Sequence, residues 1–365
     1  MFSTKQRRLL LGLLCLIGGL QFLTLWPAQS LAEQSPWEQH MQAGITAYRQ
    51  GKYAEAEKQW TAGLEVAISF GTHDPRYATS LSNLAELYQT QGRYGEAEPL
   101  YKRSIGIRVR AFGPEHSVVG QSLNNLAELY RAQGRYGDAA PLFKRSLGIL
   151  EKTLGPEHRI VATSLNNLAE LYRTQGRYDE AEPFYKRSLG LMEKTLGPEH
   201  PNVAISLNNL ALLYKAQSRY ADAELLYKRS LGIVERTLGP ENPLVAASLS
   251  NLAELYRTQG RYGDAERFNK RSLGIVEKTL GRGHPLVAVS LSNLAELYQT
   301  QGRYAEAEPL YKRSLGIVEK SFGPKNSHVA QSLENFASML RKTGRNTEAA
   351  RIEMRAKIIR ANLPE

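Results

Sequence analysis

The asparagine that precedes Leu-Ala returns at Asn83, Asn125, Asn167, Asn209, Asn251 and Asn293, and Asn335 precedes Phe-Ala at the same interval. Each step is 42 residues. A unit this short cannot bury its apolar face alone, so the chain must fold as a stack of similar units. The words NLAELY, QGRY, YKRS and LGP recur with the asparagine, and a divergent earlier copy lies between Trp37 and Pro75. A length of 365 residues would ordinarily suggest two or three domains. Here about eight copies fill the chain after Ala32 and leave no room for another domain.

One copy shows what the unit is. In Val161 to Tyr178, the residues Val161, Leu165, Leu168, Leu171 and Tyr172 recur at steps of three and four. That spacing predicts an amphipathic helix A, and Gly176 ends it. A helix B is predicted from about Asp179 to Thr195, with Ala181, Phe184, Tyr185, Ser188, Leu189 and Met192 as its packing stripe. Leu196-Gly197-Pro198 closes it.

These positions resemble the tetratricopeptide repeat. The small residue at Ala169, the aromatics at Tyr172 and Tyr185, Gly176, Tyr178 and Ala181 carry the likeness across residues 36–362. The ordinary repeat is shorter, at about 34 residues. The longer form seen here, with LNNLALLY at Leu207 to Tyr214 and LGPEHP at Leu196 to Pro201, is similar to the repeats of kinesin light chains and their bacterial relatives. The resemblance implies an all-α solenoid, a right-handed superhelix of about eight helix-turn-helix repeats. Residues 33–75 read as a divergent N-terminal repeat that caps the array, 76–327 as six repeats, and 328–365 as a C-terminal repeat with a capping helix.

The segment from Met1 to Ala32 reads differently. MFSTKQRR is a short basic stretch, Leu9 to Trp26 is almost unbroken apolar sequence, and Ser30 and Ala32 are the small residues before a cleavage point. Residues 1–32 are expected to be a signal peptide cut after Ala32. The alternative is an uncleaved anchor, because the run is near the lower limit for a bilayer span. Either reading exports the rest, to the periplasm or beyond a bacterial envelope. Cleavage would remove Lys5, Arg7, Arg8 and the single cysteine, Cys15, so the formal charge of +11 becomes +8.

Little in the repeats suggests chemistry. His116, His158, His200 and His284 form a ladder, but each is a full repeat from the next, too far to share a metal. Asp74, Asn242 and Asn326 hold the same place, and all of these types can cap a helix start. Capping explains the mixture, so no metal site is expected. There is no phosphate-cradling glycine loop and no reactive cysteine in the repeats, so neither an enzyme nor a cofactor is expected. Glu170 followed by Arg173, with equivalents in other copies, reads as a solvated surface pair worth a few tenths of a kcal/mol.

The resemblance implies that helix A lines a concave wall. Asn83, Asn125, Asn167, Asn209, Asn251 and Asn293, with Arg131, Arg173, Lys215 and Arg257, would then line a groove for a peptide or protein partner. An amide both donates and accepts, which suits an extended backbone. The same asparagines could instead hydrogen-bond between repeats and fix the stacking. A clamp for a chaperone's acidic C-terminus would need lysines in this row, and Lys215 is the only one. Arg103, Arg145, Arg187, Arg229, Arg271 and Arg313 have no acid three or four residues away in their own helix. They either pair with a neighbouring helix or form a convex basic ladder for anionic envelope components. Nucleic acid is not expected, because the tyrosines fall on packing positions. Gly106, Gly148, Gly190, Gly232, Gly274 and Gly316 lie inside helix B, either by duplication of one ancestral unit or because a backbone passes close. The function expected is that of a non-enzymatic interaction scaffold.

Overall fold

A computed structural model describes residues 35–362. The expected signal peptide lies outside these residues. Sixteen helices, all α, follow one another in eight hairpins among the described residues. The hairpins pair α1 (Pro36–Arg49) with α2 (Tyr53–Ile68), α3 (Pro75–Thr90) with α4 (Tyr94–Phe112), and α5 (Ser117–Gln133) with α6 (Tyr136–Leu154). They continue with α7 (Arg159–Thr174) and α8 (Tyr178–Leu196), α9 (Pro201–Ala216) and α10 (Tyr220–Leu238), and α11 (Pro243–Thr258) and α12 (Tyr262–Leu280). The last two pair α13 (Pro285–Thr300) with α14 (Tyr304–Phe322), and α15 (Ser327–Lys342) with α16 (Asn346–Ala361).

The chain divides into two compact units. One holds Ala67–Ala85 and Glu96–Leu255; the other holds the described residues up to 66, Glu86–Gly95 and the residues from Tyr256 onward. In the first unit α5 packs on α6, α7 on α8, and α9 on α10, while α6 also touches α7 and α8 touches α9. Successive A helices meet as well, α5 with α7 and α7 with α9. An A helix is therefore covered on several sides, and most of α7 is buried.

Local rules explain the ends of the helices. The side chains of His116, His158, His200, His284, Asn242, Asn326 and Asp74 each accept a hydrogen bond from the backbone N–H two residues on, at 2.8–3.2 Å. The mixed ladder is a ladder of N-caps. The described residues hold no cluster able to bind a metal. At the other end of α7, Gly176 takes φ 77° and Arg177 N–H reaches back to Tyr172 O, closing the helix in a Schellman arrangement. Ser218 replaces that glycine after α9 and is the one non-glycine with positive φ, at 62°, among the described residues.

A serine pins most hairpins. Ser104, Ser146, Ser188, Ser230 and Ser314 on the B helices donate to carbonyls of the partner A helices at 2.7–2.9 Å. The helix-B glycines need no close approach. A Cβ built on Gly106, Gly148, Gly190, Gly274 or Gly316 would meet nothing within 4 Å. The first hairpin is different, because a Cβ on Gly44 would overlap the indole of buried Trp60, whose Nε1 donates to Met41 O.

In the second unit, the first hairpins touch the last. Asn326 Nδ2 donates to Gln91 O at 2.5 Å, His328 Nε2 lies 3.0 Å from Thr90 O, and the rings of Tyr53 and Phe322 pack with centroids 5.1 Å apart.

Candidate functional site

In the Ala67–Leu255 unit, the A helices show solvent one narrow strip. On α7 the partly accessible positions after the first turn are Thr163, Asn166, Asn167 and Thr174. On α5 the strip passes through Gln121, Asn125 and Glu128, and on α9 through Ile205, Leu212 and Lys215. Steps of three, four and seven put each set on one helix face. The strip is mostly polar and carries amides at its centre.

Those amides link consecutive repeats. Asn167 Nδ2 donates to Asn124 Oδ1 at 3.2 Å, and Asn209 Nδ2 donates to Asn166 Oδ1 at 2.9 Å. Asn208 Nδ2 reaches Ser248 Oγ at 3.4 Å. The first asparagine of two Asn-Asn pairs, Asn124 and Asn166, which the repeat count passes over, is thus the acceptor for the second asparagine of the next repeat. Capacity is left over. Asn208 Oδ1 and Asn251 Nδ2 are buried without a hydrogen-bond partner among the described residues. Asn83 is also buried, while Asn125 and, in the other unit, Asn293 are partly exposed.

The acids and bases beside the amides form a chain. Arg131 binds Glu128 at 2.7 Å and lies 3.8 Å from Glu170 of the next A helix. Arg173 binds both oxygens of Glu170, at 2.8 and 2.6 Å, and Tyr185 OH donates to the same carboxylate at 2.5 Å. Lys215 pairs with Glu254 at 3.0 Å, and in the other unit Arg257 lies 3.4 Å from Glu296. The expectation of a solvated surface pair at Glu170 and Arg173 does not hold, since the Arg173 side chain is 6% exposed and that of Glu170 11%. The cause is coverage by neighbouring helices. Burial opposes ionisation of Glu170, but the charges of Arg173 and Arg131 outweigh it and hold the carboxyl below its ordinary range. Removing one member of such a buried pair costs about 3–5 kcal/mol.

The helix-B arginines behave as neighbours' partners. Arg187, Arg229 and Arg313 pair with Glu151, Glu193 and Glu277 of the preceding B helix at 2.5–2.7 Å. Arg103 lies over the Tyr77 ring, 4.9 Å from its centroid. The six arginines therefore do not form a continuous ladder of uncompensated charge.

A second set of arginines escaped the sequence reading. The arginine of each QGRY word lies over the tyrosine of the preceding NLAELY, as Arg135 over Tyr130 at 4.0 Å, and the QSRY copy keeps the contact, with Arg219 over Tyr214 at 3.8 Å. The same side chains cross to the previous repeat, Arg135 to Glu98 at 2.7 Å and Arg219 to Glu182 at 3.1 Å. Each also binds an acid three residues on, Asp138 or Asp222. A glycine-arginine-tyrosine word followed by an acid in nearly every copy was the available signal.

The family model of the tetratricopeptide repeat matches the chain seven times, over residues 39–108, 83–152, 118–194, 160–236, 226–278, 244–320 and 286–357. Among solved structures, kinesin light chain nearly identical TPR-like repeats of Podosopora anserina are similar, at 31% identity and a TM-score of 0.46 over 57% of this chain and 98% of that one. A variant of the same protein aligns at 30% identity and a TM-score of 0.47, covering 56% and 97%. BtubC (BKLC) of P. vanneervenii aligns at 23% identity and a TM-score of 0.49, covering 64% of this chain and 91% of that one. No curated protein matches the chain.

Proposed function

Because the chain belongs to the tetratricopeptide repeat family, whose repeats generally bind protein partners, we propose that the A-helix strip of the Ala67–Leu255 unit is the docking surface for an extended segment of a protein partner. One observation carries the reading. Within a row of linked amides, an acceptor, Asn208 Oδ1, and a donor, Asn251 Nδ2, the equivalents of the bonded Asn166 and Asn209, have no partner among the described residues. Buried polar atoms are rarely left so. An extended backbone offers N–H and C=O in alternation and can satisfy both kinds. The repeats belong to a scaffold family that is typically non-enzymatic, and binding is the function this surface supports.

The basic start, apolar run and small residues between Met1 and Ala32 lead us to assign this scaffold to a bacterial envelope, outside the cytoplasm. A mature chain beginning at Glu33, recovered from the envelope fraction, is the expected finding. Recovery of the uncut chain from the cytosol alone would contradict it.

The docking surface is tested by replacing Asn125, Asn167 and Asn209 with alanine in the full chain. A partner retained by the unaltered protein in a pull-down is expected to be held at least about tenfold more weakly, with far-UV helicity unchanged. Unchanged retention would rule out the strip.

A further inference from the structure

Of the four bases at 131, 173, 215 and 257 in this row, one lacks a glutamate on the next A helix. An Arg or Lys on one A helix meets a glutamate on the next, as Arg131 meets Glu170, Lys215 meets Glu254 and Arg257 meets Glu296. For Arg173 the equivalent position is Leu212. Arg173 uses Nε and Nη2 on its own Glu170, and its Nη1 donates to nothing among the described residues. A second group is stranded at the same place. Tyr185 OH donates to Glu170, fifteen residues earlier. The equivalent tyrosine one repeat on is Tyr227, and the equivalent acid is again Leu212. Tyr227 is fully buried and its hydroxyl has no partner among the described residues. Across α5, α7 and α9 the row then holds two acids, Glu128 and Glu170, against three bases, Arg131, Arg173 and Lys215.

By equivalence with Arg131 and Tyr185, which both engage Glu170, Arg173 and Tyr227 are the two donors to the position that Leu212 holds. Leu212 is partly exposed on the accessible strip, so the gap opens where a partner would lie. The acids in reach are already engaged, Glu170 by Arg173, Arg131 and Tyr185, and Glu254 by Lys215. We propose that this gap is a carboxylate-binding subsite, in which rotation of the Leu212 side chain lets an Asp or Glu carboxylate of the bound segment accept from Arg173 Nη1 and Tyr227 OH. The ligand supplies the glutamate that the repeat lacks. A guanidinium edge and a hydroxyl in a dry site favour a carboxylate over a neutral amide. This rests on the docking reading above but makes a narrower commitment, to one repeat and one charge.

The probe is acetate, titrated into the full chain against chloride at constant ionic strength. The readouts are the Arg173 Nε–H resonance and the melting temperature. A saturable shift of that resonance and a rise in melting temperature, specific to acetate, are expected. Leu212→Glu is expected to abolish both responses and to raise the melting temperature without acetate, because the built-in carboxylate occupies the gap. Tyr227→Phe is expected to weaken acetate about tenfold while leaving the Glu170 contacts of Arg173 in place. A response equal to that of chloride, or one that survives in Leu212→Glu, overturns the subsite. If Leu212→Glu does not fold, the Tyr227→Phe titration decides alone, and undiminished affinity there overturns it. A partner that still binds Leu212→Glu at full strength, yet is lost on removal of the asparagines, refutes the subsite and leaves the docking surface standing.

Discussion

Arg303 reaches across the hairpin boundary to Glu266, thirty-seven residues earlier, and holds its carboxylate at 2.6 Å. The same carboxylate accepts from Tyr298 OH at 3.0 Å and pairs with Lys270 at 2.6 Å. Arg303 chiefly, helped by Lys270 and Tyr298 against the opposing effect of burial, pulls the Glu266 pKa down to about 2. A lowered carboxyl adds stability that is complete above the unfolded value near 4.5 and is lost as pH falls through the folded value. Glu266→Gln is therefore expected to lower the melting temperature at pH 7, with the difference from the unaltered protein shrinking to nothing near pH 2. The site is partly solvent-screened, so the effect at pH 7 is modest. Thermal melts across pH check this.

Glu86 has the opposite sign. It stands where Glu170 does in its repeat, but Gln89 takes the place of the arginine. Burial pushes its carboxyl up to about 7. The folded protein then binds a proton that the unfolded chain has released, so stability falls as pH rises from about 4.5 and the full penalty applies above about 7. Glu86→Gln is expected to stabilise the protein by about 1–3 kcal/mol at pH 8 and to be neutral below pH 4. Denaturant titrations at the two pH values give the comparison.

The helix-B glycines offer a gain in stability. Gly148, Gly190, Gly274 and Gly316 are exposed, helical and free of anything within 4 Å of a Cβ. Alanine at each is expected to add about 0.5–1 kcal/mol, chiefly through the lower entropy of the unfolded chain. Ser218→Gly should help for the converse reason, because it relieves a non-glycine at φ 62°. Urea midpoints of the single variants check both.

Ser188 is expected to matter more than its size suggests. It is fully buried and donates to Ala162 O at 2.7 Å, tying α8 to α7. Ser188→Ala should cost about 1 kcal/mol. A cost near zero would mean that the serine serves packing alone.

The helices were legible because their apolar steps and caps are local. Val161 to Tyr172 set the phase of α7, and the residue types at His158 and Asn242 set the starts of α7 and α11. What stayed hidden depends on neighbours in space. The spacing of Glu170 and Arg173 looks the same on a solvated helix as on a covered one, and only the approach of Arg131 and Tyr185 distinguishes them. Arg187 and Glu151 are likewise far apart in sequence and adjacent in the stack. Periodicity showed that copies exist. It did not show that Leu212 is an absence, because a leucine on a helix face is ordinary until its two stranded partners, Arg173 and Tyr227, are seen.

The docking surface is tested most directly by photo-crosslinking from two positions of the same unit. Thr163 lies on the A-helix strip, and Leu225, on α10, is 69% exposed. A photoreactive residue at 163 is expected to capture one defined polypeptide, and capture should be lost when Asn125, Asn167 and Asn209 are alanine. The residue at 225 should not capture it. Capture from 225 with none from 163 would contradict the A-helix strip as the binding surface.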